Sequence, residues 1–218
     1  MTVTELMNRI KSHIEENATA PTAGSNEWNL YLSYLNQALR DWEDTYDWSH
    51  LYREFNGFNS GTTIAMPSDF RKMAGYFKAV QDGAVYNYER IRPELRYKYS
   101  EDAKYCYLVG DNANGFNLIV NGATLSSTTS IYYSYYRNAG TLASASDETM
   151  VPNPQYLVEK ALTYYWRAED DNRFQVAEQN SQLILRKMLE TENSKELTYD
   201  DRIQTTNETK YSFRIGLN

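Results

Sequence analysis

The sequence predicts an α+β protein. It reads as a bundle of about four helices, an N-terminal pair plus a C-terminal hairpin. A small antiparallel β barrel or sandwich is inserted between them, and an extended C-terminal tail follows. Three observations carry this. Apolar residues recur at helical spacing near both ends of the 218-residue chain. The middle collects most of the glycine, with many threonines and tyrosines, in short runs cut by turn signals. Beyond Thr191 the chain turns polar and the helical period fades.

Thr2 or Thr4 can cap a first helix running to about Asn17, with Leu6, Ile10 and Ile14 on one stripe. A loop from Ala18 ends at Asn26, a good N-cap, and opens a helix from about Glu27 to Tyr46. Its wide aromatic stripe, with Trp28, Leu35 and Trp42 along it, marks it for deep packing. A β-rich middle follows. Ser60-Gly61 precedes a strand from Thr62 to Met66, and Pro67-Ser68-Asp69 is expected to start one helical turn around Phe70. Tyr76 to Val80 and Ala84 to Tyr88 form a hairpin about Asp82-Gly83. A short helix with Pro93 in its first turn covers Arg92 to Ser100. Strands are expected at Tyr105–Val109, Phe116–Val120 and Ser130–Arg137, with Asn121-Gly122 as a turn. A connector from Asp147 to Pro154 leads to a helix from Gln155 to Ala168, with Leu157, Tyr164 and Ala168 on its packed face. Asp170-Asp171-Asn172 breaks it, and a fourth helix with Ile184 on its stripe runs from Arg173 to about Glu190.

This gives a helical core from 1–46 and 147–190, an inserted β domain from 47–146 and a tail from 191–218. Trp28, Leu35, Trp42, Leu157, Tyr164 and Ile184 are the expected helix-packing residues. In the tail, Tyr211, Phe213, Ile215 and Leu217 alternate with Lys210, Ser212, Arg214 and Gly216. Period two reads as a strand, which needs an edge in its own fold or on a partner.

Composition narrows the function. One cysteine, Cys106, excludes an internal disulfide and a Cys-based zinc site. Two histidines, His13 and His50, leave little for His metal sites or Ser-His triads. Net charge is −7 and the pI about 5.0, so no basic face for duplex DNA or a membrane surface is visible. Mean hydropathy is −0.70, and no apolar run is long enough to span a bilayer. The N-terminus reads as a helix start rather than a signal peptide, so a cytoplasmic chain is expected. Twenty tyrosines stand out, because tyrosine offers broad contact area with a polar tip. Such a chain looks like an interaction or structural protein rather than an enzyme.

Each chemical candidate meets a plainer reading. Asp147-Glu148 is conceivable as an acid/base pair, but adjacent loop carboxylates before a helix usually cap. Asp69 reads the same way. Asp111, Asn112 and Asn114 before Gly115 resemble half a calcium loop but lack its spacing and distal glutamate, so a turn is expected. Tyr132, Tyr133, Tyr135 and Tyr136 could stack single-stranded bases, yet no Lys or Arg is interleaved. Burial of both faces of that strand is expected instead. Cys106 reads as a buried thiol. No phosphate loop or nucleophile elbow occurs. No catalytic, metal or cofactor residue is assigned.

The order of segments resembles the head-to-tail connector, or adaptor, proteins of tailed bacteriophages. The likeness lies in four stretches. An N-terminal helix leads to the Trp28–Trp42 helix and on to Trp48. The run Thr62-Thr63-Ile64-Ala65-Met66-Pro67-Ser68-Asp69-Phe70-Arg71 is similar to the family's strand and Ser/Asp-Asp-Phe turn. The Tyr-rich strand Ile131–Arg137 precedes Leu142, Ser146-Asp147-Glu148-Thr149 and Pro152. Last is the hairpin Tyr156–Met188, with Ala161-Leu162-Thr163-Tyr164-Tyr165 and a following acidic break. The likeness spans about residues 1 to 190. It implies a non-enzymatic virion protein without cofactor, located at the virion neck and assembled in the host cytoplasm. It implies a ring of about twelve copies under the portal protein, extending the channel through which duplex DNA passes non-specifically. A tail or nozzle protein would dock on it. The tail residues Tyr211, Phe213, Ile215 and Leu217 would reach the portal. A Tyr-rich carbohydrate- or cell-wall-binding module, and a hydrolase using Asp147 or Glu148, are the alternatives.

Overall fold

A computed structural model of the chain describes residues 1–15, 19–58, 61–121, 125 and 129–215, with side chains to Ser194. The fold is α+β. It divides into two compact units, one of Met1–Tyr46 with Thr141–Asn218, the other of Asp47–Gly140.

The helical unit contains α1 (Val3–Ile14), α2 (Asn26–Thr45), α3 (Gln155–Ala168) and α4 (Arg173–Ile215). Thr2 starts α1 through a reciprocal cap: its hydroxyl accepts from the Glu5 amide and its own amide donates to the Glu5 carboxylate. The cap of α2 is Ser25, not Asn26, and its hydroxyl accepts from the Trp28 amide at 3.1 Å. Ser25 has the extended backbone that a cap requires, whereas Asn26 is already helical. Trp28, Leu35, Trp42 and Leu157 are buried, while Tyr164 and Ile184 are half-buried and Ala168 is exposed. The connector is tied to α1 by backbone bonds from Val3 to Asp147 and from Thr4 to Ala145. It is tied to α2 by Asn36, whose amide both donates to the Leu142 carbonyl at 2.9 Å and accepts from the Leu142 amide at 2.8 Å.

The last helix departs from expectation. α4 does not stop near Glu190; its helical backbone continues to Ile215, for 43 residues in all. The strand expected at Tyr211, Phe213 and Ile215 is therefore helical, and Leu217 lies outside the described residues. No proline or glycine stands between Arg173 and Ile215. Extending an existing helix adds one hydrogen bond for each residue fixed, whereas a strand needs an edge to pair with.

The other unit is one eight-stranded sheet. Its strands are β1 (Tyr52–Phe58), β2 (Thr63–Ala65), β3 (Phe70–Met73), β4 (Phe77–Gln81), β5 (Ala84–Arg90), β6 (Tyr105–Asp111), β7 (Gly115–Val120) and β8 (Ser130–Arg137). The order is β1-β8-β4-β5-β6-β7-β2, with β3 also on β8. The end strands are not paired to each other among the described residues, so the sheet is open and not the expected barrel. It is also not wholly antiparallel. β5 and β6 pair in parallel, because residues 91–104, including a 3-10 turn at Pro93–Lys98, carry the chain back across. The hairpin at Asp82-Gly83 is present, both residues having positive φ. The helical turn expected around Phe70 is a tight turn closed by the Phe70 amide on the Pro67 carbonyl, after which β3 begins. Phe70, Phe77, Tyr88, Leu118, Ile131 and Tyr133 form the centre of the sheet core. Cys106 is buried among them, and burial pushes its thiol up to about 12.

Candidate assembly interface

The carboxylates singled out as chemical candidates hold the fold together. Asp147 accepts from the amides of Ala143 and Ser144 at 2.7 and 2.8 Å and from the Ser144 hydroxyl. These bonds, the hydroxyl first, hold its carboxyl below the ordinary value. Asp111 clamps the β6–β7 turn through the amides of Ala113 and Asn114 and the Asn114 side chain. Asp69 accepts from the Tyr135 hydroxyl at 3.1 Å. No cluster able to hold a metal ion occurs among the described residues. No described helix is long and apolar enough to cross a membrane.

The Asp147 clamp has a testable sign. A depressed carboxyl stabilises the turn above its unfolded pKa, and that contribution is lost as pH falls through the folded value. Protection of the Ala143 and Ser144 amides from hydrogen exchange is therefore expected at neutral pH, lost on acidification and lost at all pH in Asp147→Ala. Unchanged protection in the variant would show that the carboxylate does not hold the turn.

Between the helices, tyrosine and charge are paired in the same economical way. Lys11 bridges Glu15 and Glu27, and these two bonds raise its ammonium above the ordinary value. The Tyr31 hydroxyl donates to Glu27 at 3.0 Å, and its ring meets Tyr165 edge-on at 5.8 Å. The Tyr164 hydroxyl donates to Asp41, which also lies 3.8 Å from Lys160. Burial raises Tyr164, and Asp41 reinforces the shift.

The tyrosine run on β8 differs from expectation. Ile131, Tyr133 and Tyr135 are buried on one face, but Tyr132 and Tyr136 on the other are only half-buried. Cross-strand lysines cover them: Lys78 lies over Tyr132 at 5.2 Å and Lys72 over Tyr136 at 5.5 Å. The basic residues absent from the linear run arrive through strand pairing.

What remains for partners is a set of large exposed side chains. In the sheet unit these are Tyr52, Phe58, Tyr76, Val85 and Tyr97; in the helical unit they include Leu30, Val176 and Leu183. Sequence reasoning missed Tyr97, although its flanks, Arg92, Arg96 and Lys98, gave the interleaved pattern that was sought around Tyr132. Of the residues read as portal-binding, Tyr211, Phe213 and Ile215 lie on the last turns of α4.

The candidate acids are thus engaged in turns and pairs, and large aromatic and aliphatic groups stand exposed, a surface suited to assembly. The family comparison agrees: the model for the SU10 adaptor protein family matches residues 1–208. The chain belongs to that family of head-to-tail adaptors, and it is a structural adaptor, not an enzyme. The match runs past the limit of about residue 190 read from segment order, into the C-terminal part of α4. No curated protein matches. Two solved structures are similar over part of their length. One, described as "Neck of empty GTA particle computed with C6 symmetry", has 18% identity and a TM-score of 0.28, covering 76% of this chain and 77% of its own. The other, "Virion of native gene transfer agent (GTA) particle", has 16% identity and the same TM-score of 0.28 and coverage of 76% and 77%. The assignment rests on the family, not on these two.

Proposed function

We propose that this adaptor sits at the virion neck as a ring of about twelve copies beneath the portal, where it extends the DNA channel and offers the tail a docking surface. The observation that supports this most is the family match over residues 1–208. The net charge of −7 suits a channel wall past which duplex DNA slides without being held. The C-terminal part of α4, with Tyr211, Phe213 and Ile215, and Leu217 beyond it, engages the portal. The helical unit and the sheet unit supply the lateral contacts of the ring.

The test combines the purified chain with the portal ring from the same genome, followed by light scattering and negative-stain imaging. A coaxial stack is expected, and it is expected to be lost when residues 191–218 are deleted. A stack that survives the deletion would remove the portal role from the tail. No stack with the full chain would overturn the neck assignment.

A further inference from the structure

The sheet unit holds every place in the chain where glycine follows an aspartate or an asparagine. These are Asn56-Gly57, Asp82-Gly83, Asn114-Gly115 and Asn121-Gly122. In such a pair the glycine amide nitrogen can attack the preceding side-chain carbonyl carbon, because no Cβ screens it. A five-membered imide results. The attack needs two freedoms: the side chain must swing onto the backbone, and the glycine amide must leave any acceptor it has. Each hydrogen bond that must break first slows the attack by about fivefold.

The fold closes the three asparagine sites. Asn121 donates its side-chain amide to the carbonyls of Glu101 and Ala103, both at 2.9 Å, and its backbone amide to Tyr105. Asn114 donates its side-chain amide to both carboxylate oxygens of Asp111, at 3.1 and 3.0 Å, and its backbone amide to one of them at 2.7 Å. The Asn56 side chain is exposed, and here the sheet ladder protects the glycine instead. The Ser134 carbonyl accepts from Ala74, so alternate residues of β8 face β3 and β4, and Ile131 faces β1. Gly57 stands opposite Ile131, so its amide is bonded to that residue.

Asp82-Gly83 has none of these restraints. Both residues are exposed at the tip of the β4–β5 hairpin. Neither the Asp82 carboxyl nor the Gly83 amide makes a hydrogen bond among the described residues. No atom stands within 4 Å of the place a Gly83 Cβ would take, so the site has room to rearrange. Asp82 is also held at a φ of +51°, a left-handed conformation that an L residue leaves with relief.

We propose that Asp82 is a site of spontaneous isoaspartate formation, and that the folded chain protects its three Asn-Gly pairs from the same chemistry. The Gly83 nitrogen bonds to Cγ of the protonated Asp82 carboxyl. The carboxyl hydroxyl leaves with the amide proton as water. A second water then adds to one imide carbonyl. Addition at Cγ restores aspartate. Addition at the backbone carbonyl breaks its bond to the Gly83 nitrogen, and the chain then runs through Cγ. The loop between β4 and β5 becomes one methylene longer, with no net gain or loss of atoms.

The test holds the full chain for weeks in heavy-oxygen water, folded and in urea, and locates the label by peptide mapping. Asp82 is expected to take up label at the same rate in both states. Asn56, Asn114 and Asn121 are expected to convert more slowly in the folded chain, by about fivefold for each bond broken. An Asp82 slowed by folding as much as the asparagines, or an asparagine not slowed, would overturn the proposal. Two exposed-turn variants separate the causes. Asp111→Ala is expected to speed Asn114 by about fivefold or more in the folded chain, and an unchanged rate would show that the carboxylate does not protect it. Gly83→Ala is expected to abolish the label at Asp82, and label that persists would show that it does not arise through the imide.

Discussion

Trp42→Ala is expected to destabilise the protein by about 3–5 kcal/mol. Trp42 has no exposed surface and lies on the buried stripe of α2 with Leu35 and Leu39. Removing the indole loses its transfer free energy and leaves a cavity that neighbouring helices fill only in part. Whole domains are stable by about 5–15 kcal/mol, so one side chain would take a large share. Urea unfolding followed by far-ultraviolet circular dichroism measures this. Arg40→Ala, an exposed position on the same helix, is the control and should shift stability by less than about 0.5 kcal/mol. Equal effects from both would mean that the α2 stripe does not organise the core.

Gly110→Ala is the second large effect, about 2–4 kcal/mol. Gly110 pairs with Phe116 across the β6–β7 hairpin and has a φ of +113°. A Cβ there would lie 2.2 Å from the Gly115 carbonyl oxygen, which is backbone and cannot swing away. Gly83→Ala separates the two causes. Its φ is +80° but nothing stands within 4 Å of the added carbon, so only backbone strain of about 1–2 kcal/mol is expected. If the two variants are equally stable in urea, the steric argument at Gly110 fails.

Much of this architecture was legible because local signals and tertiary packing agree. Thr2 followed by Glu5, the Trp28–Trp42 stripe and the Asp82-Gly83 turn each state one local structure that the rest of the fold accepts. β1 was illegible for a physical reason. Its inward positions are Arg53, Phe55 and Gly57 and its outward ones include Tyr52 and Phe58, so no apolar alternation marks either face. The crossover between β5 and β6 was read as a helix, but its consequence, a parallel pair, depends on where the chain returns and not on what it is made of. The tail misled because Tyr211, Phe213, Ile215 and Leu217 satisfy period two over a span too short to outweigh helix propagation from α4. The candidate interface was least legible. Exposure is a property of the assembled fold: the bases around Tyr97 stand in the sequence, but that its ring is left outside the core does not.

The place of β8 sets the timing of folding. Late in the sheet's sequence, it is the strand to which β1, β3 and β4 are all bonded, and Tyr52 finds its partner only at Tyr136. A ribosome must therefore deliver Arg137 before β1 and β3 have anything to pair with, and Leu162 before the first two helices are roofed by α3. Until then the nascent chain carries unpaired edges and uncovered tryptophans, and its folding is slow because its contacts are distant in sequence. Prematurely terminated chains would be cleared or would aggregate before they could enter an assembly. An assembly is thus supplied only with subunits translated past α3, which makes β8 a checkpoint on completeness as well as the keystone of the sheet.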